Sequence, residues 1–155
     1  MWQKIKPYLA SIVLALAVGA VAGLLTKDSF AQYLELRQPP LSPPAWLFPV
    51  VWTILYVLMG LGSARIYLSA DGGRSAALGL YGGQLAVNFF WPLLFFRWQL
   101  RMLALFWLAL LIVLIVYMIK RFAALDKAAA YAQAPYLLWS CFAFYLNAAV
   151  WWLNR

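Results

Sequence analysis

Charged side chains are missing from five long stretches of this chain. These stretches are 7–26, 38–64, 75–96, 102–119 and 128–154. A helix needs about 20 mostly apolar residues to cross the roughly 30 Å hydrocarbon layer of a bilayer, so each stretch is long enough or nearly so. The pattern predicts an all-α integral membrane protein, with residues 1–155 forming one domain, a five transmembrane helix bundle.

Prolines, glycines and charges between the stretches set the ends of the predicted helices. We place the spans at about 7–25, 45–68, 74–96, 99–120 and 131–153. The connection 26–44 is the longest, and its four prolines remove backbone donors and favour an extended chain. This connection is a candidate lid.

The first span has a second possible interpretation. Lys4 and Lys6 precede an apolar run that contains Ala20-Val21-Ala22, as in a secretory signal peptide with its small-residue cleavage site. The run continues to Leu25 and four more spans follow, which favours a retained helix.

The amino-acid composition is also typical of a membrane protein, and for this reason we interpret the positive net charge as a feature that favours lipid headgroups. Hydrophobic residues make up 67% of the chain and charged residues 10%, far from the soluble average of about 45–50% apolar. The twelve basic residues behind the net charge of +8 lie almost entirely in the connections, where anionic lipid headgroups would meet them. We therefore expect the lipid bilayer as a partner and no nucleic acid.

The basic residues also indicate an orientation. Seven lie on the side of the N-terminus and five on the other side, so the positive-inside rule places the N-terminus in the cytoplasm. The seven are Lys4, Lys6, Arg65, Arg74, Lys120, Arg121 and Lys127, and the five are Lys27, Arg37, Arg97, Arg101 and Arg155.

Metal chemistry has little support in this sequence. The chain has no His and a single Cys141, so the usual zinc and haem ligand sets are missing. We expect no metal site and no required cofactor.

Polar groups within the spans are amides and indoles, and they fall on common helix faces. At about 100° per residue, one stripe of the third span carries Gln84, Asn88 and Trp91. The second and fifth spans carry similar stripes, namely Trp52 with Tyr56, and Trp139 with Ala143 and Asn147. Such faces suit a cavity for a flat apolar ligand, although tryptophans at interfaces and amides between helices are also common.

A second stripe on the third span consists mainly of small residues. Its members are Gly79, Gly83, Ala86 and Phe90. Small residues let two helix backbones approach closely in lipid, so this face is predicted to contact another helix, either within the chain or in a second subunit.

Three sequence runs resemble the translocator protein family, TspO, also called the peripheral benzodiazepine receptor. The runs are PPAWLFPVVWTILYVLMG at 43–60, LGLYGGQLAVNFFWP at 78–92, and PYLLW at 135–139 with the later pairs Leu146-Asn147 and Val150-Trp151. The resemblance covers essentially the whole chain, and the first two runs are specific. The chain resembles a bacterial-type member, for which the bacterial cytoplasmic membrane is the expected location.

The resemblance implies a five-helix fold, often a homodimer, and porphyrin ligands such as protoporphyrin IX. The small-residue stripe places the expected dimer contact on helix 3. Some members also bind cholesterol or synthetic benzodiazepine and isoquinoline compounds. Matching positions imply a ligand pocket formed by Gly23, Tyr33, Trp46, Trp52, Tyr56, Gln84, Asn88, Trp91, Trp139 and Ala143, to which the face analysis adds Asn147. Lys27 or Arg37 are candidate partners for ligand propionates.

The chain departs from the family pattern in two places. Leu41 stands where the family usually has a tryptophan before the second Pro-Pro. The sterol motif of animal members needs a Tyr and a basic residue where this chain has Ala148 and Trp152, so high-affinity cholesterol binding is not expected.

Three functions follow as hypotheses. The first is a membrane receptor or binding protein for porphyrins and similar hydrophobic ligands, in tetrapyrrole handling, transport or stress signalling. The alternative is an enzyme, because some family members are reported to break down porphyrin in light with tryptophans that match Trp52 and Trp139, which makes these two the candidate catalytic residues. An ion-coupled carrier ranks last, since such carriers generally keep charged groups within their spans.

Overall fold

Helices account for all the regular secondary structure of the protein. The computed structural model describes every residue from Met1 to Arg155. The elements are α1 (Trp2–Leu34), α2 (Leu47–Leu68), α3 (Arg74–Pro92) continued by a π-helical turn (Leu93–Arg97), α4 (Arg101–Leu125), the short α5 (Lys127–Tyr131) and α6 (Ala134–Leu153). The predicted all-α architecture is confirmed.

The five long helices run in alternating directions, as contacts at both ends of the bundle show. At the end that holds the C-terminus, the side chain of Asn154 exchanges two 3.0 Å hydrogen bonds with the backbone of Arg37. At the opposite end, Arg65 Nη2 lies 2.8 Å from Asp126 Oδ2 and ties α2 to the junction of α4 and α5. The guanidinium of Arg65 lowers the pKa of Asp126.

The outer surface of the bundle is apolar. Four segments are long and apolar enough to cross a membrane: α1, α2, α4 and residues 127–153. Large apolar side chains on all four point away from the bundle, among them Val13, Ile54, Phe106 and Leu138. Because a soluble protein rarely exposes so much continuous apolar surface, this is an integral multi-pass membrane protein.

α3 is not among the four segments that are long and apolar enough to cross a membrane. The predicted count of five transmembrane spans is therefore not confirmed. The 19 residues of α3 include Gln84 and Asn88, which lower the average hydropathy of the helix. Both amides are buried, at 0% and 2% exposure, so they face the protein interior.

The predicted connection 26–44 starts too early. α1 continues to Leu34, which leaves residues 35–46 as the connection. The hydroxyl of Thr26 donates a 2.9 Å hydrogen bond to the carbonyl of Ala22 one turn earlier, which is compatible with a continuing helix. Beyond it, Tyr33 packs edge-on against Phe96 at a centroid distance of 5.2 Å and holds the extension against the π-helical turn.

Several other predicted boundaries also differ from the structure, beginning with α1, which starts at Trp2 and not at about residue 7. α4 runs to Leu125 and not to about 120, and residues 127–131 form α5 where a connection was expected. Asp126 caps α5 by accepting a 2.9 Å hydrogen bond from the backbone N–H of Ala129, a local signal typical of a helix N-terminus. The last helix begins at Ala134, three residues later than predicted, with Pro135 in its first turn, where proline is favoured.

The connection 35–46 is anchored to α6. Besides the Arg37–Asn154 pair, the hydroxyl of Tyr145 donates a 2.7 Å hydrogen bond to the carbonyl of Pro40. The connection therefore spans one end of the bundle between α1 and α2, and its role as a lid stays a prediction.

Candidate ligand-binding cavity

A cavity of about 600 Å³ lies between α1, α2 and α3, in the half of the bundle that carries the connection 35–46. α1 and α2 supply most of its wall, and α3 with the π-helical turn supplies the rest. Wall residues include Leu16, Gly19, Ala20, Gly23, Thr26, Lys27 and Phe30 of α1, Phe48, Pro49, Trp52, Thr53 and Tyr56 of α2, and Asn88, Trp91 and Phe96.

Aromatic rings in mutual contact form one side of the cavity. Trp52 lies 5.7 Å from Tyr56 and 6.4 Å from Trp91, measured between ring centroids. Trp91 in turn stacks on Phe95 at 5.7 Å. Rings that support one another in this way present a preformed surface to a flat ligand.

A chain of hydrogen bonds closes the deep end of the cavity. The hydroxyl of Tyr56 donates to Asn88 Oδ1 at 2.8 Å, and Asn88 Nδ2 donates to the hydroxyl of Tyr136 at 2.7 Å. Tyr136 then donates to Gln84 Oε1 at 2.7 Å. This network joins α2, α3 and α6, and all four side chains are buried.

Gly19 is required for the position of Tyr56. A Cβ atom at residue 19 would overlap the Tyr56 ring, because the ring packs directly on the α1 backbone. The absence of a side chain at Gly19 therefore allows Tyr56 to reach Asn88 while α1 stays close to α2.

A smaller space of about 10 Å³ lies behind the cavity and is formed partly by α6. Trp139, Ala143 and Asn147 contribute to it, together with Tyr33 and the inner sides of Trp52 and Trp91. Asn147 accepts a 3.3 Å hydrogen bond from Trp91 Nε1 and donates a 3.0 Å bond to the carbonyl of Arg101. Trp139 is in edge-on contact with Phe48 at 6.1 Å and does not line the larger cavity.

The predicted binding residues thus fall into three groups. Those in the wall of the larger cavity are Gly23, Trp52, Tyr56, Asn88 and Trp91, and those around the smaller space include Tyr33, Trp139, Ala143 and Asn147. The third group lines neither space. Gln84 belongs to the hydrogen-bond network, and Trp46 is 65% exposed and directly follows the wall residue Ala45.

Sequence reasoning missed most of the α1 wall. A pattern in the sequence was available, since Gly19, Gly23, Thr26, Lys27 and Phe30 recur at intervals of three and four residues and share one helix face. Tyr136 was also missed, because its role depends on helices that lie far apart in sequence.

The small-residue stripe of α3 is open. Gly79, Gly83, Ala86 and Phe90 are all exposed, and a Cβ added at either glycine would meet nothing within 4 Å. No other helix of the same chain covers this face, so a contact of this face within the chain is not found.

The fold and the cavity together define a class: a multi-pass helical membrane protein with an aromatic-walled cavity inside its bundle. The TspO/MBR family matches residues 11–153, and the chain belongs to that family. It is 37% identical to the tryptophan-rich protein TspO of Chlorobaculum tepidum over 99% of both chains.

Two other relatives show the range of the family. The tryptophan-rich sensory protein of Cereibacter sphaeroides is 33% identical, over 99% of this chain and 92% of its own. The translocator protein of Bos taurus is 37% identical, over 83% of this chain and 78% of its own.

Proposed function

We propose that the protein is a membrane receptor for porphyrins, of the protoporphyrin IX type, and for similar flat hydrophobic ligands, which bind in the cavity between α1, α2 and α3. The main support is the cavity itself, whose volume of about 600 Å³ is within the usual range of small-molecule sites. Trp52 and Trp91 offer ring faces for stacking, and the chain has no His for iron ligation.

The proposed role is tetrapyrrole handling, transport or stress signalling. Names such as sensory protein and translocator protein among the relatives support a role of this general kind. Stacking and apolar burial supply the binding free energy, and the protein itself requires no cofactor.

We further propose that α3 is a fifth span and that its open face forms a homodimer. The helix runs from one end of the bundle to the other, and its polar side chains face the interior. The stripe of Gly79, Gly83, Ala86 and Phe90 would meet the same stripe of a second copy. The N-terminus lies on the cytoplasmic side of a bacterial membrane in this proposal, which follows the distribution of basic residues.

Replacing the stacking surface tests the proposed function. We expect Trp52→Ala to weaken protoporphyrin IX binding by about tenfold or more, because one ring face of the cavity is removed. Binding is followed by the absorbance of the porphyrin in detergent, so that the loss of a tryptophan does not change the readout. The matched control is Trp98→Ala, since Trp98 is half-exposed and lines neither space. Unchanged affinity in both Trp52→Ala and Trp91→Ala would overturn the proposal.

The second candidate function is light-dependent porphyrin degradation. The observation in its favour is that Trp52 lies in the cavity wall, with Trp139 behind it across the smaller space. An enzyme of this kind should lose product formation under light when both tryptophans are replaced by Phe. Degradation that continues in the double variant would exclude these residues as the catalytic groups.

A further inference from the structure

Lys27 is the only residue with a formal charge in the cavity wall. It lies one turn after Gly23 on the same face of α1, and its side chain is exposed. No carboxylate lies within 4.0 Å of it, since the single ion pair of the protein is Arg65–Asp126. The ammonium group of Lys27 is therefore available to a ligand.

The position of Lys27 along α1 places its charge at the membrane surface. It directly follows the charge-free residues 7–26, and 20 helical residues extend for about 30 Å, the thickness of the hydrocarbon layer. The cavity is open along the groove between α1 and α2, where the wall residues Ala20, Gly23, Pro49 and Thr53 are exposed. A ligand in the cavity can therefore have its rings at the level of the acyl chains and one end at the level of the headgroups.

The deep end of the cavity has no charged group comparable to the ammonium of Lys27. The hydroxyl of Tyr56 already donates to Asn88, and Asn88 donates to Tyr136, so these groups satisfy one another. An anion at that end would lose its hydration and meet no opposite charge, which is strongly unfavourable.

Two nearby arginines do not compete with Lys27. The side chain of Arg97 donates a 3.2 Å hydrogen bond to the carbonyl of Leu25, and Arg97 lies outside the cavity wall. Arg37 belongs to the connection anchored by Asn154 and also lies outside the wall. Lys27 and Arg37 are the two residues predicted from the sequence as partners for ligand propionates, and only Lys27 lines the cavity.

We propose that Lys27 is a specificity-determining residue that selects amphipathic organic anions, flat ring systems with a carboxylate at one edge. The carboxylate pairs with the Lys27 ammonium at the surface of the membrane, and the ligand rings lie against the aromatic side of the cavity that Trp52 and Trp91 form. The pair is a charge-assisted hydrogen bond, which is stronger than a hydrogen bond between neutral groups. This inference rests on the proposed function, because it assigns an orientation to a ligand in the same cavity.

The test compares an acid with its ester. Dissociation constants are measured for protoporphyrin IX and for protoporphyrin IX dimethyl ester, in neutral detergent without lipid, so that no lipid headgroup can occupy Lys27. The variants are Lys27→Gln, Lys27→Arg and the control Lys120→Gln, which removes the same charge from an exposed position at the other end of the bundle.

We expect Lys27→Gln to weaken binding of the acid by roughly fivefold relative to binding of the ester. Lys27→Arg and Lys120→Gln should keep the wild-type ratio of the two constants. Differences in solubility between acid and ester cancel, because each variant is compared with the wild type through that ratio.

The possible failures can be told apart. An unchanged ratio in Lys27→Gln would overturn the role of Lys27 and leave porphyrin binding intact. Failure of the wild type to bind either compound would overturn the proposed function itself. A ratio that changes equally in Lys120→Gln would show a general effect of net charge and would also overturn the assignment.

Discussion

At the scale of single residues, one hydroxyl group links the two carboxamides at the deep end of the cavity. Tyr136 accepts from Asn88 and donates to Gln84, and it is fully buried. Water is scarce at this depth, so the two hydroxyl groups, the Asn88 amide and Gln84 Oε1 depend on one another for hydrogen bonds, while Gln84 Nε2 has no partner.

Tyr136→Phe should therefore destabilise the protein by about 1–2 kcal/mol, because it leaves Gln84 Oε1 and an N–H of Asn88 without a partner. Unfolding in mixed detergent gives the measurement. The matched control is Tyr131→Phe, which removes the same hydroxyl from a side chain that is 74% exposed, and it should have no effect. Equal stability of both variants would show that the network does not stabilise the bundle.

The sequence predicts part of this residue-level picture. The shared face of Gln84, Asn88 and Trp91 on α3 is confirmed, since all three hydrogen-bond to residues of the last helix. The period of the helix is sufficient to predict a shared face. Periodicity says nothing about the partner on another helix, and for this reason Tyr136 could not be identified in advance.

At the scale of helices, the backbones of α1 and α2 approach each other closely at Gly60. A Cβ atom on Gly60 would lie 2.5 Å from the Cα atom of Ile12, so the two backbones are in direct contact. Close backbone approach through small residues is a main source of helix association in lipid, where the hydrophobic effect does not act between helices.

Gly60→Ala should separate α1 from α2 and destabilise the protein by about 1–3 kcal/mol, since the neighbouring atoms belong to a backbone and cannot rotate away. Thermal unfolding in detergent measures the effect. Gly82→Ala is the control, because a Cβ there meets nothing within 4 Å and alanine favours the helix. If the two variants melt at the same temperature, the close approach at Gly60 contributes nothing to stability.

The ion pair between Arg65 and Asp126, at the end of α2, makes the stability of the protein depend on pH. Arg65 lowers the pKa of Asp126, so the contribution of this pair is present above the unfolded pKa of about 3.9 and is lost as the pH falls through the lower folded value. We expect Asp126→Asn to lower the melting temperature by about 1–3 °C near neutral pH and to have no effect in strong acid.

The Asn side chain keeps a cap for α5, so the variant isolates the charge. Asp71→Asn is the control, since the Asp71 carboxylate is not in an ion pair. A destabilisation by Asp126→Asn that stays constant across the whole pH range would contradict the assigned cause.

Helix boundaries show where sequence patterns stop being informative. Lys27 and Asp28 look like the start of a connection, yet α1 continues past them because Phe30 and Tyr33 pack on the aromatic rings of other helices. Contacts between helices decide where such a helix ends, and these contacts cannot be predicted from the neighbouring residues in the sequence.

At the scale of the whole molecule, the all-helical membrane architecture follows directly from the charge-free stretches, because a bilayer requires all backbone polar groups to be paired within helices or closed barrels. The location of the cavity does not follow in the same way. That location depends on where helices separate. The sequence predicts Trp139 in the main wall, whereas in the structure Phe48 lines the cavity and Trp139 packs edge-on against Phe48.

The connection 35–46 joins the first helix to the cavity wall at Ala45, and Asn154 attaches it to the last helix. Asn154→Ala removes both hydrogen bonds to Arg37 and should speed porphyrin dissociation by roughly fivefold, with a small effect on stability. Stopped-flow displacement gives the rate. Gln99→Ala is the control, as it breaks the exposed Gln99–Gln32 pair, which does not involve the connection. Equal dissociation rates in both variants would contradict a lid function.

The length of α1 has a consequence for the lipids around the protein. Its 33 residues extend for about 50 Å, far more than the hydrocarbon layer, so its last turns rise above the acyl chains with Lys27 near the boundary. Longer acyl chains would move that boundary past the ammonium group, which a helix accommodates by local thinning of the bilayer or by extending its lysine side chain toward the headgroups. Acyl-chain length would then tune the ligand selectivity proposed for Lys27, without any change in the sequence.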